Sequence, residues 1–350
     1  MAFDPDGLAS PEAGFFGLPA PDGSARIRII PAPFEGTATF GGGSRRAPDA
    51  IRAVSHQLDL YDHRFGRVWE AGIASALAIE GLEALGEECR ALAEPILAGR
   101  PADASALARI DEIGALVERR VRDAAADALR AGSAPIVVGG EHAVAEGAIR
   151  AAAEDAGPVG VLQIDAHMDL RRAYAGMARS HASVMRNVAD SIAGADRLVQ
   201  VGVRDYAEGE RRFAESRADR VAVFYDADLW SARDAGASWA SLCERIIEPL
   251  GERVHVTFDI DGLDPSLCPG TGTPVPGGLS FHAACELLAR LARSGRRVVS
   301  ADLVEVAPRP GDDWDATVGA RALYALCGAV AVSNGWVTAP ARADRAPGPT

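Results

Sequence analysis

Seven short runs rich in β-branched residues punctuate this chain: "ARIRIIPAP", "APIVVGG", "PVGVLQID", "RLVQVGV", "VAVFYD", "VHVTFDID" and "RVVSADLVEV". Ala/Leu/Arg-rich stretches separate most of them. This alternation restricts the fold more than any other feature, because a strand followed by a helix returns to the sheet in parallel, and the helices then cover both faces. The expected architecture is α/β, a three-layer αβα sandwich on a mostly parallel sheet. Apolar spacing predicts a helix over about 104–132 with a Gly stop. A second is expected in "LSFHAACELLARLARSG", with Ser280 as N-cap and Gly295 as stop. There is no internal repeat and no interdomain linker. One domain is expected over 26–335, between Pro/Gly/Ala-rich termini, 1–25 and 336–350, read as mobile.

Composition removes several function classes. A formal charge of -13 disfavours a nucleic-acid or anionic-membrane surface, which needs clustered cations. All 36 basic residues are Arg, so Schiff-base and Lys general-base chemistry are excluded. The five Cys (Cys89, Cys243, Cys268, Cys285, Cys327) are scattered, without CxxC spacing, and read as reduced buried thiols. The N-terminal stretch is acidic, with neither a basic n-region nor an apolar h-region. No run reaches the roughly 18 apolar residues of a membrane span. A cytoplasmic protein is expected.

In open parallel sheets, ligands sit at the carboxyl ends of the strands. Here those ends carry polar groups where packing would favour Val or Ile. "IVVGG" runs into Glu141-His142, "VGVLQI" into Asp165, His167 and Asp169, "VHVTF" into Asp259 and Asp261, and "SADLV" into Glu305. If the segment after "VGVLQI" stays extended, Asp165, His167 and Asp169 point to one side and converge. Four Asp and two His form a hard, mostly oxygen donor set that suits Mn²⁺, and Ni²⁺, Co²⁺ or Fe²⁺ fit the same donors. Four carboxylates repel one another too strongly to serve one divalent ion. Two ions balance them, and such a pair can lower the pKa of a shared water towards neutrality.

"GGEHAV", "DAHMDL", "SHASVMR", "FDIDGLDPSLCPGTGTPVPGGLS" and "SADLVEVAP" together resemble the ureohydrolase family of arginases, agmatinases, guanidinobutyrases and formimidoylglutamases. "PFEGTATFGGGSRRAPDAIR" is similar to that family's N-terminal signature, so the likeness runs from about Arg26 to Val332. The resemblance implies an arginase-like αβα fold, usually a trimer or hexamer. His142 and Asp169 would hold one Mn²⁺, His167 and Asp261 the other, and Asp165 and Asp259 would bridge. His181 would relay protons or contact substrate. Glu305 would pair with the substrate's guanidinium, where a bidentate pair fixes orientation as well as charge. His56, His63, His255 and His282 lie outside the motifs and read as structural. "GTATFGGGSRR" lacks the GK[ST] of a phosphate loop.

The implied reaction splits a guanidino compound into urea and an amine. "DLRRAYAGMARSHASVMR" is most similar to agmatinases, which makes agmatine, yielding putrescine, the first substrate expected. Arg172, where agmatinases tend to carry an acid, and Val275, where many have Glu, would instead favour a carboxylate tail such as guanidinobutyrate. Arginase or formimidoylglutamase activity follows behind. A non-catalytic, metal-stabilised partner subunit is the alternative from another class, and a one-zinc deacylase on a related fold a third.

Overall fold

The computed structural model describes residues 3–9, 13–19 and 24–341. Strands β1 (Ile27–Ala32), β4 (Ile73–Ser75), β5 (Ala134–Gly139), β6 (Val159–Ile164), β7 (Ala195–Val203), β8 (Val221–Tyr225), β9 (Arg253–Asp259) and β10 (Arg297–Val304) form the sheet. β2 (Tyr61–Asp62) and β3 (Gly66–Arg67) make a separate antiparallel ribbon. The main sheet runs β4-β1-β5-β10-β9-β6-β7-β8, and every neighbouring pair is parallel. β5 and β6 are buried along their whole length, as unbroken Val/Ile/Leu runs require when helices cover both faces.

The expected helices form close to where the sequence places them. One spans Ala104–Arg130, capped by Asp103, and Gly132 beyond it turns at φ 77°. Another spans Phe281–Ala292, and the Ser280 side chain accepts from the Ala283 amide at 3.1 Å. Helix Trp314–Ser333 is long and apolar enough to cross a membrane, which the sequence reading did not register. It packs instead against β10 and helices Ala47–Ser55 and Phe281–Ala292, with most of its side chains in the core. All five Cys are buried, and none is in a disulfide.

The packed unit begins before residue 26, which corrects the expectation of a wholly mobile segment over 1–25. Phe15, Phe16 and Leu18 are buried in the main core, the Phe16 amide donates to Ser55 Oγ at 2.7 Å, and its ring meets Tyr324 edge-on at 4.8 Å. Residues 1–2, 10–12 and 20–23 of that segment lie outside the described residues. So does 342–350 of the expected C-terminal tail, whereas Val337 is 9% exposed and joins the core.

A candidate dinuclear metal centre at four adjacent strand ends

The sheet order brings the four polar strand ends together, because β5, β10, β9 and β6 are consecutive neighbours at its middle. Their carboxyl ends line one pocket containing His142, His167, Asp169, His181, Asp259, Asp261 and Glu305. The pocket also holds Arg171, Tyr174, Asp205, Tyr206, Glu210 and Phe40. Asp165, fully buried, stands beside His142 and His167.

Asp165, His167 and Asp169 do converge, but not by strand alternation. β6 ends at Ile164, and Asp169 turns into the left-handed region at φ 53°. A tight loop therefore gathers them. It is held by the His167 amide on Asp165 Oδ1 at 2.6 Å and the Ala166 amide on Asp261 Oδ1 at 3.0 Å. Glu305 is likewise left-handed, at φ 62°. Non-Gly residues rarely adopt this conformation, and holding one there costs on the order of 1–3 kcal/mol, so the surrounding packing must fix both carboxylates.

Two donor groups result. His142, Asp165 and Asp259 offer ligand atoms within 4.8 Å of one another, as do Asp165, His167 and Asp261, so Asp165 is common to both. His142 Nδ1 lies 2.9 Å from Asp169 Oδ2, 3.2 Å from Asp165 Oδ2 and 3.4 Å from Asp259 Oδ2. His167 Nδ1 lies 3.0 Å from Asp261 Oδ2 and 3.5 Å from Asp165 Oδ1. His142 Nδ1 is buried yet has no hydrogen-bond partner. Three carboxylate oxygens crowded on one ring nitrogen need a proton or a cation among them, and the donor set fits a divalent metal.

The charges show the same demand for cations. Burial opposes ionisation throughout. Against it, Asp165, Asp169 and Asp259 hold His142 well above the ordinary imidazole value, and Asp261 and Asp165 raise His167 to about 12. Burial beside Asp165 pushes Asp169 up to about 7 and, beside Asp261, Asp259 well above its usual range; Asp165, bonded to both imidazoles, moves down despite its burial. Without cations, such a cluster must retain protons that metal ions would displace.

His181 and Glu305 flank this centre. The His181 ring sits with Nδ1 3.0 Å from Thr37 Oγ1, and burial followed by the charges of His167 and His142 lowers it to about 4. Thr37 also reaches Glu141, whose carboxylate accepts from the Gly36 and Thr37 amides and the Thr37 hydroxyl at 2.7–3.0 Å. The sequence reading gave Thr37 no part in the site. The loop that superficially suggested phosphate binding thus spends these donors on the protein's own acids; further along it, Gly43 and Arg45 amides cap Glu35. Glu305 Oε1 accepts from the His142 amide at 2.7 Å, and burial with Glu141 nearby raises its pKa strongly. The Glu305 amide in turn donates to the Gly140 carbonyl at 2.9 Å, and Gly140 itself must lack a side chain, because a Cβ there would lie 2.0 Å from the Phe34 carbonyl oxygen.

Fold and pocket together define an amidinohydrolase. The arginase family model matches residues 25–328, and the chain belongs to that family of binuclear metal enzymes as a ureohydrolase. It is 31% identical to an N(1)-aminopropylagmatine ureohydrolase of Thermus thermophilus over 320 residues, 91% of this chain and 95% of that one. It is 30% identical to an agmatinase of Halalkalibacterium halodurans over 80% of this chain and 83% of that one. Among solved structures, the proclavaminate amidino hydrolase of Streptomyces clavuligerus shares the fold with a TM-score of 0.74 at 24% identity, covering 94% of this chain and 100% of that one.

Proposed function

We propose that the enzyme hydrolyses a guanidino compound whose far end is cationic, agmatine foremost, to urea and a diamine. The supporting observation is the charge at the pocket rim. Asp205 presents a carboxylate whose side chain is 68% exposed, and its only ion-pair contact among the described residues is His167 Nε2 at 4.0 Å. The rim's cation, Arg171, is already engaged by Glu210 Oε2 at 3.4 Å and lies over the Tyr174 ring at 5.0 Å. A cationic tail finds a free acid and aromatic faces there; an anionic tail finds a committed Arg.

The two positions that favoured guanidinobutyrate do not line the pocket. Arg172 is exposed, and the Val275 backbone carbonyl accepts from Arg204 at 3.0 and 3.1 Å. A longer polyamine tail is the second reading, favoured by the Thermus relative's name and by the exposed Phe40 and Tyr206 at the mouth.

Within this reading, His142, Asp165 and Asp169 with Asp259 would hold one Mn²⁺, and His167 and Asp261 with Asp165 and Asp259 the other. When bound, the ions would activate water for attack at the guanidinium carbon and offset the charge that develops there. Glu305 binds and orients the guanidinium. His181 is neutral at physiological pH. Because the Thr37 hydroxyl donates to Glu141, it accepts from His181 Nδ1–H, leaving Nε2 open to carry a proton towards the leaving amine.

Metal analysis of Mn²⁺-loaded protein should give two ions per chain; saturation at one with full activity overturns the assignment. In a panel of agmatine, aminopropylagmatine, guanidinobutyrate and arginine, urea release should give the two cationic-tail compounds at least about tenfold higher kcat/KM, the equivalent of about 1.4 kcal/mol. Asp205→Asn should narrow that margin. A preference for guanidinobutyrate or arginine refutes the proposed tail specificity.

A further inference from the structure

A polar chain runs from the back of the His142 ring into the sheet. His142 Nε2 lies 2.8 Å from Thr257 Oγ1, and Thr257 Oγ1 donates to Asp302 Oδ1 at 2.7 Å. Asp302 Oδ2 lies 2.7 Å from His255 Nε2, whose Nδ1 meets Ser300 Oγ at 2.7 Å. Thr257, Asp302, His255 and Ser300 are 0% exposed. Strand register builds the chain: Thr257 on β9 stands opposite Asp302 on β10, and His255 opposite Ser300. His255, Thr257 and Asp259 share one side of β9, so this polar stripe ends at the metal cluster.

The hydrogens can be assigned by elimination. The single hydroxyl hydrogen of Thr257 is donated to Asp302 Oδ1. Thr257 Oγ1 is then an acceptor towards His142, which must carry its hydrogen on Nε2. In the neutral imidazole that binds a metal, this leaves Nδ1 bare, and Nδ1 is the atom that faces Asp165, Asp169 and Asp259. Packing alone does not account for the chain. A carboxylate buried between two strands is expensive, and an apolar pair would fill the same space without that cost.

We propose that Asp302, acting through Thr257 and held by His255, is a positioning residue that locks His142 in the Nε2–H tautomer and so presents Nδ1 to one metal ion. The inference rests on the dinuclear reading and adds residues that touch neither metal nor substrate. It concerns one ion only, because among the described residues the chain reaches His142 and not His167.

The test is calorimetric Mn²⁺ titration of metal-free full-length protein, which reads binding independently of turnover. Thr257→Val removes the hydroxyl at nearly constant volume. It should weaken one of the two ions about ten- to hundredfold and leave the other little changed, as loss of a partner behind a metal-bound imidazole does. Thr257→Ser, which keeps the hydroxyl and drops the methyl, should restore near-wild-type binding. Asp302→Asn should reproduce the one-ion loss. Because losing a buried charge can unfold the chain, the Thr257 pair decides. Unchanged isotherms for Thr257→Val, equal weakening of both ions, or Thr257→Ser behaving like Thr257→Val would each overturn the proposal. Wild-type protein that takes up no Mn²⁺ would instead defeat the dinuclear reading beneath it.

Discussion

Glu305→Gln should lower kcat/KM on the preferred guanidino substrate by roughly thirty- to several-thousand-fold while both metal ions remain bound. The range is the about 2–5 kcal/mol expected when one partner of a buried charge pair is lost, converted at about 1.4 kcal/mol per tenfold. The structure makes this substitution more damaging than simple neutralisation. Glu305 Oε1 accepts from the His142 amide at 2.7 Å, so a Gln there must turn its carbonyl oxygen to that N–H. Its amide NH₂ then points into the pocket, donor against the N–H groups of a guanidinium. Side-by-side metal analysis and steady-state kinetics check the result. A variant that loses an ion, or one that keeps wild-type kcat/KM on every guanidino compound, shows that Glu305 does something else.

Asp259→Asn should abolish measurable turnover and weaken both ions, whereas Asp169→Asn should weaken mainly one. Asp259 Oδ1 accepts from the Asp261 amide at 2.9 Å, while Oδ2 faces His142 Nδ1 at 3.4 Å. An Asn keeps its oxygen for that backbone bond and directs its NH₂ at the cations, removing an anionic ligand and adding a donor in its place. Losing a shared ligand of a metal pair removes several kcal/mol of charge stabilisation, or about a thousandfold or more in rate. Equal two-ion occupancy and activity in both variants would contradict the bridging role of Asp259. Ion content measured after removal of loose metal, beside a urea assay, decides between them.

The sequence exposed the strands and the polar groups at their ends because those signals are local: an apolar run, then acids and imidazoles where Val would pack. The Ser280 cap was equally visible, since capping is decided within one turn of helix. Strand order was not, because it sets β10 beside β5, a strand more than a hundred residues earlier in the chain. The relation of Thr257 to Asp302, 45 residues apart, was hidden because it too depends on which strands pair, although "VHVTFD" does carry its mark in polar residues at every second position. Arg172 was weighed by its place in the family likeness, which does not say which of two adjacent arginines lines the pocket; among the described residues Arg171 does. Phe15 and Phe16 were hidden by their setting, two core aromatics in a stretch whose Pro and Gly content argued for looseness.

The place of β10 also bears on how the enzyme comes into being. During synthesis β5, β6 and β9 emerge before it, yet β5 and β9 cannot pair across the gap that residues 297–304 will fill. Until that strand slots between them, His142 and Asp259 hang from two unjoined halves of the sheet, and a ribosome-bound chain has no cavity in which to trap ions. Metal uptake would then follow the slow non-local pairing that parallel sheets require, and be a late event in the life of each molecule.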